Sequence, residues 1–113
     1  MQKEQLSLYI GEVLDEKKAE DIVIIDLRGR SNLTDYIVIA TGRNERHAAS
    51  LGEYVEKALQ EKHVAIHHKE GHRTGDWVVL DYYDVIVHIF NEDKRHYYNL
   101  ERLWSDAPRV IPA

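Results

Sequence analysis

The sequence predicts an α/β fold: one domain over residues 1–113, built on a five-stranded mixed sheet with about three helices. Three observations lead there. Apolar residues recur at three- and four-residue spacing in three segments. Short apolar runs lie between clusters of turn formers, and one strand–helix–strand run has the length of a crossover connection. A chain of 113 residues can bury roughly two-thirds of the surface its unfolded form exposes, which suffices for one core.

The elements follow in order. Leu6, Ile10, Val13 and Leu14 share one helical face between Glu and Lys residues, so an amphipathic helix is expected over about residues 3 to 18. Ile22 to Leu27 and Tyr36 to Ala40 are compact aliphatic runs separated by RGRSNLTD, whose Gly, Ser, Asn and Asp favour turns; both read as strands buried on two faces. Asn44 is placed to cap the next helix, and Ala48, Leu51, Val55, Ala58 and Leu59 mark its apolar face as far as about Lys62. A strand near His63 to Lys69 then completes a strand–helix–strand run, which predicts a right-handed crossover with parallel pairing. EGHRTGD is a polar loop; its G-x3-G spacing reads as a turn and not as a phosphate cradle. Trp77 to Tyr82 and Val85 to Phe90 stand close enough together to form a hairpin. Asp93 is a candidate cap for a last short helix carrying Tyr97, Leu100, Leu103 and Trp104, which stops before Pro108.

Composition removes several function classes. There is no cysteine, so disulfides, thiolate catalysis and cysteine-bound metals are excluded. The N-terminus has neither the basic start nor the apolar run of a secretory signal, and no apolar stretch approaches the ~20 residues that span a bilayer. A cytoplasmic protein without membrane contact is expected, in bacteria more than in an organelle. Twenty acidic against fifteen basic residues give a net charge of −5, which disfavours a nucleic-acid groove and suits a basic partner.

The stretch WVVLDYYDVIVHIF carries the functional question. With a tight turn at Tyr82-Tyr83, Asp81 would oppose Asp84, Val79 would oppose Ile86, and Trp77 would oppose His88. One face would then hold Val78, Leu80, Val85, Val87 and Ile89, all aliphatic, and is the expected core face. The other would hold Trp77, Val79, Asp81, Asp84, Ile86, His88 and Phe90. Either the protein's own helices or a partner can cover that mixed face, and its aromatic and charged content suits a partner.

The same stretch, followed by RHYYNLERLWSDA, resembles the signature of the ribosomal silencing factor family, also called the Iojap family. Upstream, DIVIIDLRGRSNLTDYIVIATGRNERHAASL is similar to the first half of that family, so the resemblance runs from about Asp21 to Ala107. Tyr83 departs from the pattern where Gly is common, and Asn44 where Ser is common. The resemblance implies a nucleotidyltransferase-like fold without transferase chemistry. It further implies binding to the large ribosomal subunit through ribosomal protein fourteen, at the face that meets the small subunit. Subunit joining would be blocked and translation lowered when nutrients are scarce. A homodimer of the free chain is compatible with such a patch.

Other chemistries could draw on the same residues. A nucleotidyltransferase-like enzyme would use Asp81 and Asp84 with a divalent metal and a third acid, Asp26 or Asp35. It lacks a phosphate-cradling loop, since neither GxGxxG nor GxxxxGK[ST] occurs. No catalytic residue and no cofactor are expected. His67, His68 and His72 cluster in sequence, but adjacent strand residues face opposite ways, so surface histidines are expected and not a metal site. Arg95, Arg102 and Arg109 are expected on a solvated helix face, where an RNA-binding module, or a minor contact with ribosomal RNA, would use them.

Overall fold

The structure, a computed structural model, describes residues 1–98 and 100–110. Its sheet has five strands in the order β1 (Glu20–Asp26), β2 (Tyr36–Gly42), β5 (Val85–Asn91), β4 (Trp77–Asp81) and β3 (His68–Glu70). Strands β2 and β5 are parallel and every other neighbouring pair is antiparallel, so the sheet is mixed, as predicted. All seven residues of β2 are buried, which is why its sequence is a continuous aliphatic run with no alternation.

Helices α1 (Lys3–Glu16) and α2 (Glu45–Glu61) lie on the same face of the sheet. Leu6, Ile10, Val13 and Leu14 of α1 and Ala48, Leu51, Val55 and Leu59 of α2 pack on Ile24, Val38, Ala40, Val78, Leu80, Val87 and Ile89. These are the helix faces and hairpin face that periodicity predicts. Asn44 caps α2, its side-chain oxygen accepting the His47 backbone N–H at 2.8 Å.

The connections differ from expectation in three places. The run from β2 through α2 ends at β3 on the far edge of the sheet, and the parallel neighbour of β2 is β5. Strand β3 covers three residues only, because the chain leaves α2 through His63 at φ +60° and joins the ladder late, with the His67 N–H donating to the Asp81 carbonyl at 2.8 Å. At the hairpin, Asp81 opposes Ile86, Val79 opposes His88 and Trp77 opposes Phe90. The Tyr82 N–H donates to the Val85 carbonyl, and the Asp84 N–H donates to the Tyr82 carbonyl, so the turn centres on Tyr83 and Asp84. Tyr83 adopts φ +70°, the conformation that favours glycine; its N–H is held by the Asp81 carboxylate at 2.8 Å and its ring lies 4.1 Å from that of His67. The register moves by two residues, which preserves the side-chain period, so both face assignments survive for the paired residues.

At the C-terminal end, α3 (Glu92–Tyr98) is capped by Asn91, whose side chain accepts the Lys94 N–H at 2.9 Å; Asp93 lies inside the helix. A 3-10 turn follows over Leu100–Trp104. The side chains of Tyr97 and Leu100, placed by their spacing on the last helix, lie outside the described residues. Beyond the turn, the Asp26 N–H donates to the Pro108 carbonyl and the Val110 N–H to the Ile24 carbonyl, which covers the outer edge of β1.

Candidate partner-binding face

The second face of the sheet is covered unevenly. Over β1 and β2, Ile25, Leu27, Ile37 and Ile39 are buried with Phe90 and Ala107, and Val23, Trp77 and Trp104 pack against them. Over the hairpin the cover thins: Trp77, Val79, Asp81, Ile86 and His88 are each half-buried. On β3 beside them, His68 and Glu70 are exposed and paired through His68 Nε2 and the Glu70 carboxylate at 2.9 Å. The result is a short strip, apolar along its middle, acidic at the turn end and aromatic at the other.

Trp77 anchors the aromatic end. Its ring stacks on Phe90 with centroids 5.2 Å apart, and its indole N–H donates to His88 Nδ1 at 2.9 Å. Trp77 and His88 are diagonal neighbours across the ladder, close enough for long side chains to meet. Burial lowers the His88 pKa from its ordinary value to about 4, so the ring is neutral at physiological pH. Because an indole nitrogen only donates, Nδ1 must be the unprotonated nitrogen and Nε2 carries the hydrogen.

Several expected site residues take other roles. Phe90 is 0% exposed, so it cannot touch a partner; it supports Trp77 from below. Asp84 is not opposite Asp81: it sits in the turn, 3.6 Å from the Lys3 ammonium of α1. Lys3 also binds Asp35 at 2.8 Å, and these carboxylates, Asp35 first, raise its pKa. Asp26, the other candidate third acid, is gripped by Arg28 at 2.7 Å, and that hydrogen bond holds its carboxyl below the usual range. Of the four candidate metal-binding carboxylates, Asp35 and Asp84 share Lys3, Asp26 pairs with Arg28 and Asp81 accepts the Tyr83 N–H. Among the described residues no group of three His, Cys, Asp or Glu could hold a metal ion. His67 stacks on Tyr83, His68 pairs with Glu70, and the half-buried His72 lies in the β3–β4 loop.

Arg95, expected on a solvated face, is buried and donates to Thr41 Oγ1 at 2.6 Å; Arg102 and Arg109 are exposed. Thr41 lies one strand from Phe90 on the same face, so Arg95 ties α3 to the sheet. Sequence reasoning missed the Trp77–His88 bond, although the alternation that put both residues on one face was the signal for it. It also had no means of marking Leu33 and Leu103, which are 83% and 71% exposed. No helix among the described residues is long and apolar enough to cross a membrane.

Comparison with known proteins agrees with this architecture. The family described as "Ribosomal silencing factor during starvation" matches residues 1–112. A relative from Halalkalibacterium halodurans, named "Ribosomal silencing factor RsfS", is 40% identical over 108 residues, covering 96% of this chain and 92% of its own. The crystal structure of protein CV0518 from Chromobacterium violaceum superposes with a TM-score of 0.90 at 33% identity, over 100% of this chain and 92% of that one. At 30% identity, the Mus musculus protein named "Mitochondrial assembly of ribosomal large subunit protein 1" matches 82% of this chain and 42% of its own length. The chain belongs to the ribosomal silencing factor family.

Proposed function

We propose that this protein silences ribosomes by binding the large subunit through ribosomal protein fourteen and obstructing the approach of the small subunit. The contact is made by the strip of Val79, Ile86 and His88, flanked by Trp77 and by Asp81. The observation that carries this reading is the uneven cover of the sheet. The chain buries one face under two helices and part of the other beside Trp104 and Ala107 of its C-terminal segment, yet leaves an apolar strip beside a carboxylate. Such a patch on an acidic chain suits a basic protein surface with an apolar centre. The family description supports a ribosomal partner, and the name of the mouse relative favours the large subunit. Silencing during starvation requires occupancy and no bond chemistry, which agrees with carboxylates engaged by backbone and cation partners.

Sedimentation with separated ribosomal subunits tests the proposal. The chain is expected to travel with the large subunit, not with the small one, and in excess to reduce their joining. Ile86→Lys places a like charge against a basic partner and should weaken binding at least about tenfold while the fold is retained. Binding to neither subunit, or to the small one alone, removes the proposal, and unchanged affinity of the Ile86 variant moves the contact to another surface.

A further inference from the structure

Hydrogen bonding within the strip says more about the partner than its polarity does. His88 lies between Val79 and Ile39 in the ladder. Its Nδ1 is occupied by the Trp77 indole N–H at 2.9 Å, a donor that cannot be reversed into an acceptor. The ring is thereby held in one tautomer and orientation. Among the described residues nothing hydrogen-bonds to Nε2, and that atom is not among the buried polar atoms lacking a partner, which are His72 Nδ1 and the Tyr82 hydroxyl. A half-buried ring therefore presents an N–H outward from an apolar strip. An interface closing over it must supply an acceptor or leave a desolvated donor unmet, and the latter weakens binding about tenfold or more.

We propose that His88 is a specificity-determining donor of this face, pinned by Trp77 so that Nε2–H meets a backbone carbonyl or carboxylate oxygen of the partner. A Lys or Arg side chain brought to the same point would set donor against donor, so cations are excluded here. They are directed to Asp81, the diagonal neighbour of His88 across the ribbon. The partner surface is thus an apolar ridge with an oxygen acceptor beside it and a basic side chain towards the turn. Burial of the ring, which keeps it neutral well below neutral pH, agrees with a role as a fixed donor.

This inference rests on the proposed contact face, and the test separates the two. Histidine-labelled 15N NMR of the free chain at neutral pH should show the Nε2–H tautomer in the natural sequence. Trp77→Phe, which removes the indole N–H and keeps a ring, should lose that preference. Affinity for purified large subunits is then measured for three variants. His88→Phe should bind about tenfold more weakly, as expected for one lost hydrogen bond, and His88→Gln, which can both accept from Trp77 and donate outward, should recover to within about threefold. Ile86→Lys reports on the face itself. If Ile86→Lys weakens binding and His88→Phe does not, the face is engaged without a donor at His88 and this inference is wrong. Equal losses in the Phe and Gln variants would assign the effect to ring shape, which also overturns it. An Nδ1–H tautomer in the free chain refutes the pinning whatever the subunit does. If neither His88→Phe nor Ile86→Lys changes affinity, the contact face falls, and the donor role with it.

Discussion

Acid should destabilise this protein through one ring. His88 keeps its neutral form in the folded state down to a pKa of about 4, against an ordinary value of 6.5, because the sheet face around it excludes water. Between those values the unfolded chain binds more protons at this site than the folded one, so folding stability is full above about pH 6.5 and falls as the pH drops towards 4. The whole gap corresponds to about 3 kcal/mol, of which about 2 kcal/mol is lost between pH 7 and pH 5. Asp26, held low by Arg28, contributes only as the pH falls through and below the ordinary carboxylate range, outside this window. Urea unfolding at pH 7, 6 and 5 measures the loss. His88→Gln, which still offers Trp77 an acceptor, should flatten the dependence by the same amount. Parallel curves for the natural chain and the variant would show that the ring titrates normally, and the account of its environment would be wrong.

Two further outcomes follow from packing and backbone geometry. Gly75 sits at φ +75°, and a Cβ there would strike the Glu45 carbonyl oxygen at the start of α2; Gly75→Ala should therefore cost more than about 2 kcal/mol, visible as a drop of roughly 8 °C or more in the melting temperature. Phe90→Ala opens a cavity under Trp77 and should cost about 3–5 kcal/mol in urea unfolding. If that variant were as stable as a typical surface substitution, Phe90 would not be the support the strip requires.

Much of this was legible from local pattern. Leu6 through Leu14 and Ala48 through Leu59 show the period of a helix with one buried face, and Asn44 caps the start of the second helix; both depend on neighbours within a few residues. The faces of the hairpin were legible for a related reason: alternation assigns Val78, Leu80, Val87 and Ile89 to one side whether the register is right or displaced by two. Its turn was not, because Tyr83 adopts a conformation that its residue type disfavours, and it is held there by the Asp81 carboxylate and by the His67 ring, which arrives from the segment that leads into β3.

What the sequence by itself determined is the class of the fold, the helix faces, the common side of the hairpin for Trp77, Val79, Asp81, Ile86 and His88, and the family. Tertiary structure alone decided the strand order, because β2 could take β3 or β5 as its parallel neighbour with the same local pattern. It also decided how much of the second face stays open, since that depends on where the C-terminal segment comes to rest. Phe90 and His88 lie two residues apart on one strand, and nothing in their own neighbourhood of sequence tells which is sealed. The C-terminal segment and the residues of β1 and β2 bury the first and leave the second partly accessible.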